Sequence, residues 1–369
     1  MTELQRELTT IGGSIHFAIL HPDLKYIANI LSLLAIVLTV IVLVSSIVYM
    51  APVDPARMTF GQRADQETVA KKRAELHLDQ PISTQIWYYI CDLSPLSKGK
   101  PSYYREKGVA HWQLTHGESD AWMLKVPYLR ESYQSGKPVL HLLAEAVPKT
   151  LILAITAILI AFVLGCIGGV LAAVYRDTWI DRSIISLTVL GISVPSYVSA
   201  IVLALVFGYL LRDYTGLNIQ GSIFDLDDMG DDRVYLRNLI LPAIALGVRP
   251  LSIITQLMRS SLLDVLTMDY MRTAQAKGLS FMTAVRKHAV GNALNPVLTA
   301  ATGWFASLLA GAFFVEQVFN FKGVGELTVN ALINYDIPLI LGCTIFISVI
   351  FIIINMSMDL LYRWLDPKM

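Results

Sequence analysis

Cysteine is scarce, with three in 369 residues, and two of them (Cys166 and Cys343) fall inside long apolar runs. That excludes a disulfide framework. Charge is scarce as well: Asp, Glu, Lys and Arg make up 16% of the chain, and the two signs cancel at 29 residues each. Overall charge therefore points to no partner; only its distribution does. Catalytic signatures are also missing. No H-E-x-x-H or G-x-S-x-G string occurs, and the histidines are scattered without metal-ligand spacing. Gly99-Lys100 and Gly136-Lys137 lack the glycine that a P-loop needs five residues upstream, where Ser94 and Glu131 stand. The chain is expected to hydrolyse no ATP, to bind no metal and to carry no cofactor.

Apolar residues, by contrast, are abundant: 54% of the chain, with a mean hydropathy of +0.55. Crossing about 30 Å of hydrocarbon takes roughly 18 or more uncharged apolar residues. Five runs qualify: Ile27–Met50, Thr150–Val174, Ser183–Leu211, Asn292–Val315 and Ile337–Met358. A sixth, Asn238–Met258, is interrupted by Arg249 and Pro250. The expectation is an all-α integral membrane protein with six transmembrane helices. The first run follows 26 residues, is too long for a signal-peptide core, and reads as a retained signal anchor.

Short loops set the orientation. Residues 259–291 carry five Lys/Arg against two Asp, and the tail adds Arg363 and Lys368, whereas residues 213–236 carry six Asp and one Arg. Alternation then places both termini (1–26 and 364–369) and the 175–182 and 259–291 loops in the cytoplasm. Residues 51–147 form an extracytoplasmic insert after the first helix (27–50), and 148–363 hold the other five helices. The insert is expected to contain two short helices separated by Pro81, then a small irregular cap ordered by its aromatics. The acidic string "DLDDMGDD" (Asp225–Asp232) echoes a calcium loop, but Met229 and Leu236 stand where ligands belong, so a solvated loop is the better reading.

Within the spans, Pro195 in "GISVPSYVS" should bend the third helix. The small residues of "GCIGGVLAAV" should let the second helix approach a neighbour closely. Arg249 is the one charge well inside a span. At roughly 3 kcal/mol for a charge at mid-bilayer it must face a partner or a wet cavity. It either lines a pore, or it snorkels or pairs with a carbonyl freed by Pro250.

Residues 269–297, "DYMRTAQAKGLSFMTAVRKHAVGNALNPV", lie between the fourth and fifth runs. Leu262, Leu266, Tyr270 and Ala274 recur every four residues, predicting a helix that continues out of the fourth span. Gly278 interrupts as a left-handed C-cap would, and Ser280 is a plausible N-cap for a second, basic helix with Phe281, Ala284, Val285 and Ala289 on its apolar face. Such an elbow seeks a protein partner or rests on anionic headgroups; the residues alone leave both open.

The string also resembles the EAA loop of ABC importer permeases, in the version typical of the dipeptide/oligopeptide branch. Arg272, Thr273 and Ala274 occupy the Glu-Ala-Ala positions before Gly278, and Gly291 replaces a proline near the motif's end. "ELHLDQPISTQIWYYICDL", "SGKPVLHLLAEAVPKTLILA", "LGISVPSY", "LILPAIAL", "GAFFVEQVFNFKGVGEL" (with Lys322 where proline is usual) and "DLLYRWLDPKM" resemble other segments of that branch. The likeness breaks over residues 95–132.

The resemblance implies a type I ABC importer permease fold in a bacterial inner membrane. It implies a second homologous permease, two ATPase subunits that carry the ATP and Mg, an extracytoplasmic substrate-binding protein, a peptide cargo, membrane lipid around the spans, and no nucleic acid. In such transporters the elbow docks on an ATPase: Leu279 and Phe281 would insert, and Arg272, Arg286 and Lys287 would meet acidic groups. Thr273, Ala274 and Gly278 complete the docking set. Pro195, Arg249, Asn295 and Glu316 are candidates for the translocation path. A secondary carrier or channel is the alternative, but it calls for intramembrane carboxylates or inverted repeats, and neither is visible.

Overall fold

The computed structural model describes residues 22–50, 54–60, 65–76, 78–115, 117, 121–226 and 232–365. The N-terminal segment, the chain's last four residues and the centre of the acidic Asp225–Asp232 loop lie outside the described residues.

All six apolar runs fall in helices. The chain runs α1 (Pro22–Met50), α2 (Pro55–Phe60), α3 (Gln66–Glu75) and α4 (Ile82–Leu93), then β1 (Leu96–Gly99), α5 (Pro101–Glu106), β2 (His111–Gln113) and β3 (Ala121–Lys125). The long α6 (Val139–Val174) follows, then α7 (Trp179–Ser193), α8 (Ser196–Leu203) with a π-helical extension over Ala204–Leu210, and the short α9 (Arg212–Thr215). A small hairpin, β4 (Phe224–Leu226) and β5 (Asp232–Val234), precedes α10 (Arg237–Leu266). Then come α11 (Asp269–Ala276), α12 (Phe281–Ala284), a π turn over Val285–Ala289, α13 (Val290–Gly311), α14 (Phe313–Phe319), α15 (Val324–Ile333) and α16 (Ile337–Leu365).

Three described helices are long and apolar enough to cross a membrane: Val139–Val174, Arg237–Leu266 and Ile337–Ile354 of α16. Two bent pairs bring the number to five, and Ala35–Met50 of α1 is a shorter apolar helix. The third apolar run is not one bent rod. α7 stops at Ser193, Pro195 precedes α8, and the two axes differ by 108°. Proline supplies no N–H and disfavours helix for the residue before it, so Val194 is extended (ψ 127°) and the run breaks rather than bends.

α10 is the hub, packing on α6, α7, α8 and α13. Its seam with α6 is built from small residues, as "GCIGGVLAAV" requires. A Cβ on Gly169 would stand 2.7 Å from the Thr255 carbonyl oxygen, and one on Gly165 2.7 Å from Ile254 Cγ2. Only glycine lets these backbones come so close.

The segment between α1 and α6 is more ordered than its sequence suggests. The expected irregular cap contains a three-stranded antiparallel sheet in the order β1-β3-β2. Alternation in β3 puts Ala121, Met123 and Lys125 inward, against Tyr104 and Tyr128. Asp92 organises this core: it accepts from Tyr104 Oη (3.0 Å) and Arg130 Nε (2.8 Å), while its carbonyl accepts from Lys125 Nζ and from the Tyr128 amide. Burial draws the Lys125 ammonium below the ordinary lysine pKa, and Asp92 opposes that shift. A second buried carboxylate, Asp336, sits just before α16 and accepts from Ser132 Oγ (2.5 Å) and the Tyr133 amide (3.0 Å). It ties the segment to the last span.

A candidate coupling elbow

The turn from α10 to α13 is a compact corner. α10 ends at Leu266, and Met268 (ψ 149°) caps a new helix instead of letting the old one continue. The predicted face therefore shifts. Leu262, Val265, Met271 and Ala274 are buried, whereas Tyr270 turns outward and its hydroxyl accepts from Asn292 Nδ2 at 2.9 Å.

α11 ends as a Schellman motif: the Gly278 amide donates to Gln275 (2.9 Å) and the Leu279 amide reaches back to Ala274 (3.3 Å). Gly278 has φ +91°, a conformation that costs a residue with a side chain roughly 1–2 kcal/mol. Ser280 then caps α12, its Oγ accepting from the Thr283 amide at 3.4 Å. No break follows, because the π turn over Val285–Ala289 joins α12 directly to α13.

The corner has two faces. Met271, Ala274, Ala284, Val285 and Ala289 form one buried cluster with Leu262 and Val265 of α10 and Ala173 of α6. This face glues the elbow to the bundle. The other face is bare: Arg272, Thr273, Lys277, Gly278, Phe281, Met282, Arg286 and Lys287 are all exposed. Phe281 is 45% and Met282 51% exposed. Two exposed apolar side chains among four exposed cations have the composition of a protein-contact surface.

Two of the expected docking residues do not lie on that face. Ala274 is buried, and Leu279 packs half-buried against the same inner cluster, since a Schellman motif turns its second outer residue back onto the helix. Met282 takes the outward place that sequence reasoning gave to Leu279. The i, i+1 adjacency of Phe281 and Met282 at the start of a helix was the available signal.

The four path candidates differ in their surroundings. Pro195 is exposed at the α7/α8 break, and Asn295 is exposed on α13. Arg249 is exposed on α10, its guanidinium 5.8 Å from the centroid of Trp304 on α13. Glu316 differs from the other three: it is fully buried. Its carboxylate accepts from Thr150 Oγ1 (2.7 Å) and from the amides of Gly325 (2.8 Å) and Glu326 (3.1 Å). A carboxylate at the N-terminus of α15 satisfies orphan helix donors and complements the helix dipole. Any Cβ on Gly323 would collide with it. Glu316 is an internal fastener between α6, α14 and α15.

An ion pair missed by the sequence reading closes the elbow end of α7. Asp181 and Arg259 pair through two bonds of 2.7 Å, and Asp181 also accepts from the Asp177 amide. Beside them an open groove of about 680 Å³ runs along α7 and α10, lined by Ile185, Ser186, Val189 and Gln256.

The bundle that carries this elbow matches a known family, described as the inner membrane component of binding-protein-dependent transport systems, over residues 165–369. The chain belongs to this family. Residues 24–100 match the N-terminal part described for such membrane components. Among curated relatives of this permease, a Brucella abortus protein named as a peptide transport system permease is 34% identical over 334 residues, covering 90% of this chain and 94% of that one. The glutathione transport system permease GsiC of Salmonella typhimurium is 34% identical over 345 residues, covering 93% and 98%. The permease shares its fold with a chain of the inward-facing MetNI methionine ABC transporter (TM-score 0.50, 19% identity, 62% of this chain and 97% of that one).

Proposed function

We propose that the chain is one of two paired permease subunits of an ATP-driven importer for peptides or peptide-like cargo. Six spans, with both termini and the elbow in the cytoplasm, carry the path in this reading. The elbow is the lever on which a cytoplasmic ATPase subunit acts, and an extracytoplasmic binding protein delivers cargo to the opposite face. The observation that carries the proposal is the exposed Phe281–Met282 pair within the Arg272, Lys277, Arg286 and Lys287 rim, mounted on a corner whose other side is buried in the bundle. The names of the relatives support a peptide cargo.

The chain's part is mechanical and selective: it stabilises two arrangements of the path differentially, and ATP chemistry on the partner chooses between them. Arg249, exposed beside Trp304, is the path's candidate cation for a peptide carboxylate. The test is co-purification. The tagged chain, expressed with its neighbouring genes, should bring down a second permease and two ATPases, and Phe281→Asp should release the ATPases while membrane insertion persists. A homo-oligomer with no ATPase would leave the elbow as a membrane-surface helix and the chain as a carrier or channel.

A further inference from the structure

Helix α4 is built inside out. Its single charged residue, Asp92, is buried, as are Gln85 and Tyr89 (5%, 7% and 0% exposed). Its outward residues are Ile82, Ser83, Trp87 and Tyr88, with Trp87 62% and Tyr88 45% exposed. A helix facing water has the opposite arrangement, and the same segment supplies one. α3 carries Glu67, Lys71 and Arg73 on its surface, with Lys71 and Glu67 paired at 2.7 Å in the open.

Position explains the inversion. Tyr89 belongs to a buried cluster with Ile41 of α1 and Ile337, Leu341 and Ile345 of α16. At 1.5 Å per residue, Ile41 and Ile345 lie roughly 12–14 Å inside the ends of these helices that adjoin α4. α4 therefore packs beside the end of α1, with Tyr89 entering the cluster that α1 and α16 share. α1 exposes apolar residues over the same stretch, Val42, Leu43 and Ile47.

We infer that α4 lies in the bilayer interface, with Trp87 and Tyr88 seated at the headgroup–acyl boundary of the leaflet on that side. The occupant of its outward face is lipid. The helix form leaves few backbone groups to satisfy there. Tryptophan and tyrosine are the side chains that favour this boundary, apolar in body and polar at the tip. Asp92, held on the inward side by Arg130 and Tyr104, keeps the helix from rolling. This inference requires only that the spans cross a bilayer; it does not depend on the cargo or on the ATPase.

The test reads Trp87 in proteoliposomes of the full-length chain, reconstituted with the subunits it purifies with, in ordinary lipid and in lipid brominated high on the acyl chain. Subtracting the spectrum of Trp87→Phe isolates the emission of Trp87. Brominated lipid should remove about half of that emission or more, as expected for an interfacial tryptophan, and aqueous iodide should leave it largely intact. Tyr88→Trp in the Trp87→Phe background should regain a component quenched the same way. Quenching by iodide and not by brominated lipid would put the helix in water and overturn the inference. Protection from both would mean that a protein subunit covers the face, which overturns it equally.

Discussion

The elbow and the segment between α1 and α6 make opposite use of polar chemistry. In the elbow the devices that set the shape are local: a Schellman closure, a serine cap, a glycine at positive φ. Its outer charges are unburied, one exposed hydrogen bond joins Tyr270 to Asn292, and its buried contact with the bundle is an apolar cluster. In the segment the decisive contacts are long-range and buried. Asp92 meets Arg130 38 residues on, and Ser132 meets Asp336 204 residues on. Local devices fix the shape of a corner without tying it to distant parts, so the corner can move as a unit. The Asp92–Arg130 pair holds the segment together, and the hydrogen bonds to Asp336 fasten it to the bundle. The comparison separates a part that is shaped from a part that is anchored.

Mutations should divide the two regions accordingly. The largest effect is expected from Asp92→Ala, which takes the carboxylate from the partly buried Arg130 and a hydrogen-bond acceptor from Tyr104, at a cost of about 3 kcal/mol. Limited proteolysis should then cut within residues 54–130 while ATPase co-purification is unchanged. Loss of the ATPases along with the cuts would mean that the two regions are coupled. Glu316→Ala, which orphans Thr150 and two helix amides, should cost about 2–3 kcal/mol and lower the detergent melting temperature. An unchanged melting temperature would remove it as a fastener.

Gly278→Val adds no clash, since a Cβ there meets nothing within 4 Å. It should cost about 1–2 kcal/mol of backbone strain and cut uptake severely at normal membrane levels, with Gly278→Asn milder because asparagine tolerates this conformation. Equal uptake by wild type and Gly278→Val would show that the corner's shape is dispensable. The smallest effect belongs to Ser280→Ala, about 1 kcal/mol or less for a solvent-exposed cap, read as faster amide exchange at Phe281–Thr283 with uptake nearly intact.

Much of the elbow was legible in the sequence because its devices are local. Gly278 and Ser280 announce a C-cap and an N-cap wherever they stand. The reading failed where tertiary contacts decide. The four-residue spacing of Leu262, Leu266, Tyr270 and Ala274 looked like one helix. The break at Thr267–Met268 moved the buried stripe to Leu262, Val265, Met271 and Ala274. Periodicity also could not tell that Leu279 would fold inward. That the amides of α15 hold Glu316 depends on a return of the chain that no local pattern encodes. The same holds for the β1-β3-β2 sheet, whose strands are three to five residues long and too short to show a period.

The unbroken passage from α12 through the π turn into α13 has a consequence for timing. Residues 281–311 form one rod, roughly 45 Å long at 1.5 Å per residue. Two neighbouring parts joined by a slack loop can move one after the other. A continuous helix has no slack to take up, so a displacement of Phe281 is passed straight into α13, softened only where the π turn and Pro296 let a helix bend. On the other side of Phe281 the chain turns at Thr267–Met268 and at Gly278.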